Sequence, residues 1–117
     1  MGYRSDIVIY LNEEAAKRLH AEFKDVEEYL AKLGTKTELD DGGELYKMVN
    51  VKWDTAYCED IIAIENFLDK LDWEDDECYE FMRLGEDDDD VEHRYTVDDV
   101  RLWVERYINT DNFREAE

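Results

Sequence analysis

The chain has 117 residues, enough for one domain with a modest core and too few for two independent ones. Its 34 Asp and Glu against 14 Lys and Arg leave a formal charge of −20, which argues against direct binding to nucleic acid or to anionic membranes and points to a basic partner. With 13% aromatic residues and no Pro, the composition is that of a folding chain, not of a disordered acidic one.

Residues 3–10 are rich in β-branched side chains, and Ile7, Val8 and Ile9 in succession predict a first strand buried on both faces. Asn12 ends it and caps a helix. Glu13 and Glu14 then suit the positive end of the helix dipole, while Leu19, Phe23, Val26, Leu30 and Leu33 recur at helical steps as one apolar stripe. Gly34 is expected to close this helix as a left-handed cap. Residues 35–44, containing Asp40-Asp41-Gly42-Gly43, read as a turn or loop, and 45–53 as a half-buried strand with Val49, Val51 and Trp53 on one side and Asn50 and Lys52 on the other. The chain changes direction over 54–60. Ile61, Ile64, Leu68 and Leu71 form a second helical stripe flanked by Ile62 and Phe67; an acidic connection over 72–77 leads to a third strand at 78–84.

The next apolar segment supports two readings. Thr96-x-x-Asp99 has the form of a capping box, and Val97, Val100, Val104 and Ile108 fit a helix; yet Val100, Leu102, Val104 and Ile108 also alternate against Trp103 and Tyr107. The β-branched and aromatic content favours a strand folding back beside 78–84, with 109–117 as a mobile tail. The order β-α-β-α-β-β over 1–108 predicts one α+β domain. Its expected form is a two-layer sandwich, an approximately four-stranded mixed sheet with two amphipathic helices on one face.

The apolar run at 7–11 is too short for a signal peptide, and no segment has transmembrane length. Cys58 and Cys78 lack Cys-x-x-Cys spacing and are too few for a disulfide framework, so a reduced, cytoplasmic protein is expected. No Gly-rich phosphate loop, zinc motif or Ser-His-Asp set is present. Cys58 as a nucleophile would have only His20 and His93 for a base, and neither is positioned by a motif; His20 reads as a solvent-side helix residue and His93 as a loop residue. The expectation is a binding protein, with no catalytic residue and no cofactor. Asp88, Asp90 and Glu92 alternate as oxygen donors, but the run lacks the glycine and the terminal acid of a calcium loop, so no metal site is assigned.

Charge is concentrated in one window. Residues 72–92 hold twelve carboxylates and one arginine, Arg83, for −11 of the chain's −20. Duplex DNA carries one charge per about 1.7 Å of axis, and a domain of this length has a diameter of roughly 35 Å. The charge densities are comparable, so the window can stand in for phosphates in a basic groove; the alternative is a solvated acidic loop. Trp53, Trp73 and Trp103, with Tyr46, Tyr57 and Tyr79, are candidates for an aromatic contact patch. Trp53 and Trp103 fall within strands and are assigned to the core, whereas Trp73, flanked by Asp72, Glu74, Asp75 and Asp76, is either a contact residue or buried at the helix end. The expected partner-binding residues are Trp73, Glu74, Asp75, Asp76, Glu77, Tyr79, Glu86, Asp87, Asp88, Asp89, Asp90 and Glu92.

Three pieces of sequence resemble a family of small, mostly uncharacterised acidic proteins of bacteriophages and prophages. They are Met1-Gly2-Tyr3-Arg4-Ser5-Asp6 running into a strand, Val51-Lys52-Trp53 at a strand end, and Arg83-Leu84-Gly85-Glu86-Asp87 followed by Asp90-Val91-Glu92. The resemblance implies a phage setting and a strand in the final segment, and supplies no activity. The resulting expectation is a nucleic-acid mimic that occludes a basic host DNA- or RNA-binding protein, as in anti-defence or host takeover. Two alternatives stay open: an immunity or antitoxin protein that neutralises a basic nuclease, and an accessory domain with incidental acidic surface.

Overall fold

The computed structural model describes residues 4–56, 58–87, 89–104 and 107–116. Its elements are β1 (Ser5–Leu11), α1 (Glu13–Glu22), α2 (Lys24–Leu33), β2 (Thr35–Glu38), β3 (Glu44–Val51), α3 (Glu59–Leu71), β4 (Tyr79–Leu84), β5 (Val91–Tyr95), β6 (Trp103–Val104) and β7 (Ile108–Asn109). The fold is α+β, as the order of its sequence elements predicts, but the sheet has five strands in the order β2-β3-β1-β4-β5 and every pairing is antiparallel. The expected mixed, four-stranded sheet fails for a topological reason. Each helical crossover does join strands that run the same way, β1 to β2 and β3 to β4, but another strand lies between the members of each pair, a split β-α-β arrangement.

β1 occupies the centre and is buried on both faces, as Ile7, Val8 and Ile9 require. Ile7, Ile9 and Leu11, with Tyr46, Met48, Tyr79 and Phe81, pack under the helices. Ile64, Phe67, Leu68 and Leu71 of α3 are fully buried there, each worth about 1.5–3 kcal/mol if its side chain is wholly removed from water. Val8, Tyr10, Leu45 and Met82 face the other way and are covered by Leu39, Leu102, Ile108 and Phe113. Two layers therefore become three, the third being the C-terminal segment with the small β6–β7 sheet.

The expected single helix over 13–33 is two helices. Asn12 caps α1 through its side chain, which accepts the Ala15 N–H at 2.9 Å, and the break falls at Phe23, with φ −127° and ψ 53°. A straight helix of that length would run about 31 Å, past the end of a seven-residue strand of about 23 Å. Breaking at Phe23 brings its ring to 4.9 Å from that of Phe67 and keeps Val26 and Leu30 in the core. Gly34 is not a left-handed cap; its backbone is extended and runs straight into β2. It is a glycine because β3 passes so close: a Cβ there would collide with the Lys47 carbonyl oxygen and lie 2.7 Å from Met48 Cγ. The Asp40-Asp41-Gly42-Gly43 turn is present, with Gly42 at φ 86°, but it joins β2 to β3, so 35–38 is strand and not loop.

Three further expectations are corrected. Val49 is 72% exposed: it follows the buried Met48 onto the opposite face, and a bulge in β3 returns Val51, not Val49, to the core. Trp103 is also exposed, on the short β6. The expected tail packs: Phe113 is buried, Leu39 bridges Glu115, and Arg101 lies over the rings of Tyr10 and Phe113 at 4.5 and 4.1 Å. In place of one strand over 97–108, residues 97–102 are irregular and β6 and β7 are two residues each; the strand that folds back on β4 is β5.

Candidate interaction surface

β4 divides the acidic window. Residues 72–77 precede its first residue, Tyr79, and residues 85–90 come after its last, Leu84. A six-residue strand spans about 20 Å, so the window forms two clusters at opposite ends of one strand.

The first cluster is held rigidly. Asn12 Nδ2 donates to the carbonyl of Asp76 at 2.8 Å while its Oδ1 accepts the N–H of Cys78 at 3.1 Å. Arg18 reaches from α1 to Glu77 at 2.7 Å and stands 3.7 Å from Glu74. Asp72 accepts from the Tyr79 hydroxyl at 2.6 Å and pairs with Arg94 at 3.1 Å. Trp73 is 86% exposed, which decides against burial at the helix end. Asp75 and Asp76 beside it are exposed and form no ion pair among the described residues.

The second cluster is a tight β4–β5 connection in which the Gly85 N–H donates to the Asp90 carbonyl at 2.8 Å and the Asp90 N–H to the Asp87 carbonyl at 3.0 Å. Arg83 gathers its two outermost acids, Asp90 at 2.8 Å and Glu92 at 3.1 Å, so both are half-buried. Glu86, Asp87 and Asp89 are exposed. Asp88 lies outside the described residues, as does Tyr57.

Tyr79 cannot serve as a rim contact, being only 1% exposed. It points from β4 toward the helices, where Arg94 lies over its ring at 5.6 Å. Burial, reinforced by the hydrogen bond to Asp72, raises its phenol well above the usual range.

The countercharges are not legible in the sequence. Arg94, on the missed strand β5, meets Glu65 at 2.8 Å, Asp69 at 2.9 Å and Asp72 at 3.1 Å. Burial raises the Glu65 carboxyl above its ordinary value although Trp53 and Arg94 oppose this; Trp53 Nε1 donates to it at 3.2 Å. Arg18 and Arg94 lie far in sequence from the acids they neutralise, and only Arg83 sits inside the window.

Both histidines are better placed than expected. His20 is half-buried between Glu27 and Glu44, with Nε2 2.7 Å from Glu44 and Nδ1 hydrogen-bonded to Glu27; Glu44 also accepts from the Tyr46 hydroxyl at 2.5 Å. Desolvation pulls the imidazole pKa down, but the two carboxylates outweigh it and the net shift is upward. His93 lies on β5, 2.9 Å from the buried Glu80.

Among the described residues, no group of three or more His, Cys, Asp or Glu is arranged to hold a metal ion, and no helix is long and apolar enough to cross a membrane. Comparisons with protein-family models, curated proteins and solved structures give no match.

Proposed function

We propose that the protein acts by binding a basic, nucleic-acid-binding protein of a host cell, in the phage setting that the sequence resemblance implies, and that it does so as a nucleic-acid mimic. The observation that carries this reading is Trp73, an indole 86% exposed and flanked by the exposed carboxylates of Glu74, Asp75 and Asp76. A large exposed aromatic beside exposed negative charge suits a partner that offers both an apolar slot and arginine, which stacks on indole and pairs with carboxylate.

The proposed contact set is narrower than the acidic window. Glu77, Asp90 and Glu92 serve the fold through Arg18 and Arg83, and Tyr79 is buried. Trp73, Glu74, Asp75 and Asp76 at one end of β4, and Glu86, Asp87 and Asp89 at the other, carry the binding. Two charged clusters about 20 Å apart match about twelve charges of duplex axis in reach, though not in density, so the partner is gripped at two points along its groove.

The test is capture of bacterial proteins on the immobilised chain in nuclease-treated lysate, with and without excess duplex DNA. Recovery of one dominant nucleic-acid-binding protein that duplex displaces, and that an Asp75→Lys/Asp76→Lys variant does not retain, is the expected result. Capture indifferent to duplex and to both substitutions would overturn the mimic.

A further inference from the structure

Lys17, Arg18, Lys36, Arg83, Arg94 and Arg101 each pair with at least one carboxylate. Arg4, Lys32 and Lys52, like Lys24, Lys47, Lys70 and Arg114, form no ion pair among the described residues, and these three line one cleft of about 320 Å³. In a chain where acids outnumber bases 34 to 14, three unpaired cations meeting in one cleft run against the general charge balance. Asp60 is the single carboxylate of the lining, and its Oδ1 accepts the N–H of Ile61 at 3.0 Å.

The cleft has a backbone origin. Between the pairs Ile7↔Met48 and Ser5↔Val51 the register shifts, so β3 carries one residue more than β1 over that stretch. Asn50 absorbs it in a left-handed conformation, φ 57°, with its N–H donated to Asp6 Oδ1 at 2.9 Å. Asparagine tolerates that region better than most residues. Val49, 72% exposed, lines the cleft, and Leu33, Val51 and Ile61 supply more apolar wall. Bulges of this kind commonly re-aim a side chain beside a binding site. The N-terminal turn of the thirteen-residue α3, through Cys58, Asp60 and Ile61, forms another wall and adds the positive end of its dipole.

The cleft sets three cations beside apolar wall, the two features that an organic anion requires of a site. We infer that this cleft binds a small organic anion, its carboxylate or phosphate group held by Arg4, Lys32 and Lys52 and its short apolar or aromatic body resting on Val49 and Leu33. The cleft's lining contains none of the acidic-cluster residues and takes the opposite charge, although Arg4 and Asn50 also line a neighbouring cleft with Asp6 and Glu86.

Amide NMR titration of the full chain tests it, with phenyl phosphate, benzoate and neutral benzyl alcohol as probes. The expected result is saturable shifts confined to the amides around Asn50, Lys52 and Ile61 with at least one anion, at a Kd on the order of 1 mM, and none with the alcohol. Comparison of the two anions identifies the preferred head group. Lys32→Gln/Lys52→Gln should weaken binding by about tenfold or more, and Val49→Asp, a surface change that spares the cations, should do the same. Absence of local shifts with both anions, equal shifts with benzyl alcohol, or binding unaffected by all these substitutions would overturn the assignment.

Discussion

Glu80 and Leu102 are joined across the second face of the sheet: the carboxylate of Glu80, wholly buried on β4, accepts the backbone N–H of Leu102 at 3.0 Å. The same side chain accepts the N–H of Arg101 at 2.8 Å and meets His93 at 2.9 Å. This acid is one tie between the C-terminal layer and the sheet, beside the Leu39–Glu115 bridge and the Ala116 N–H donated to the Glu38 carbonyl of β2 at 2.8 Å. Removing it strands two donors and leaves a void, so Glu80→Ala should lose about 2–5 kcal/mol, read as a lower urea midpoint. Glu80→Gln, which keeps an acceptor oxygen and the volume, should lose clearly less. Equal losses would mean that the volume and acceptor retained by glutamine do not contribute as argued.

The His20 cluster predicts a pH dependence. Because the folded-state pKa is raised above the ordinary 6.5, the folded chain holds this proton more tightly than the unfolded one. The stabilisation is complete below the unfolded value and is lost as pH rises through the folded one. Lys36, 3.8 Å from Glu44, faces the same carboxylate, as does the Tyr46 hydroxyl, which burial and Glu44 hold protonated across that window. Comparing wild type with His20→Gln at about pH 5.5 and about pH 9 isolates the effect from general charge repulsion. The variant should be less stable than wild type at the lower pH, and the gap should close at the higher one.

Gly34 gives a packing prediction. Alanine there needs no forbidden backbone angle, but its methyl would press on the Lys47 carbonyl and Met48. Gly34→Ala should cost about 1–3 kcal/mol by separating α2 and β2 from β3, with faster amide exchange at Lys47 and Met48. A glycine needed only for a left-handed cap would leave those amides unchanged.

Particular residues decided how much of the fold was legible in the sequence. Ile61, Ile64, Leu68 and Leu71 gave α3 because an uninterrupted apolar stripe has one helical solution, and Ile7-Val8-Ile9 gave the central strand. Phe23 hid its break because no Gly or Pro marks it; the cause is a ring on α3 44 residues away. β5 was hidden because Glu92, His93 and Arg94 carry polar partners on both faces of an edge strand. The division of the acidic window was legible once 78–84 read as a strand, since a strand holds the residues before it well apart from those after it. Its neutralisation was not, because Arg18 lies 59 residues from Glu77.

Trp73 separates binding from folding. Its indole is exposed and its backbone serves only the last turn of α3, the Trp73 N–H donating to the Lys70 carbonyl at 3.4 Å. Trp73→Ala should therefore shift stability by no more than about 0.5 kcal/mol, whereas a contact residue at the centre of an interface loses about 2 kcal/mol or more on truncation. The charges around it should behave differently: reversing Asp75 and Asp76 should slow association and weaken its salt dependence, while loss of the indole should mainly speed dissociation. Measured by surface plasmon resonance against the captured partner at two salt concentrations, the two variants should separate into those two kinetic classes. Unchanged dissociation in Trp73→Ala would assign the indole to solvent and leave the acidic clusters to act alone.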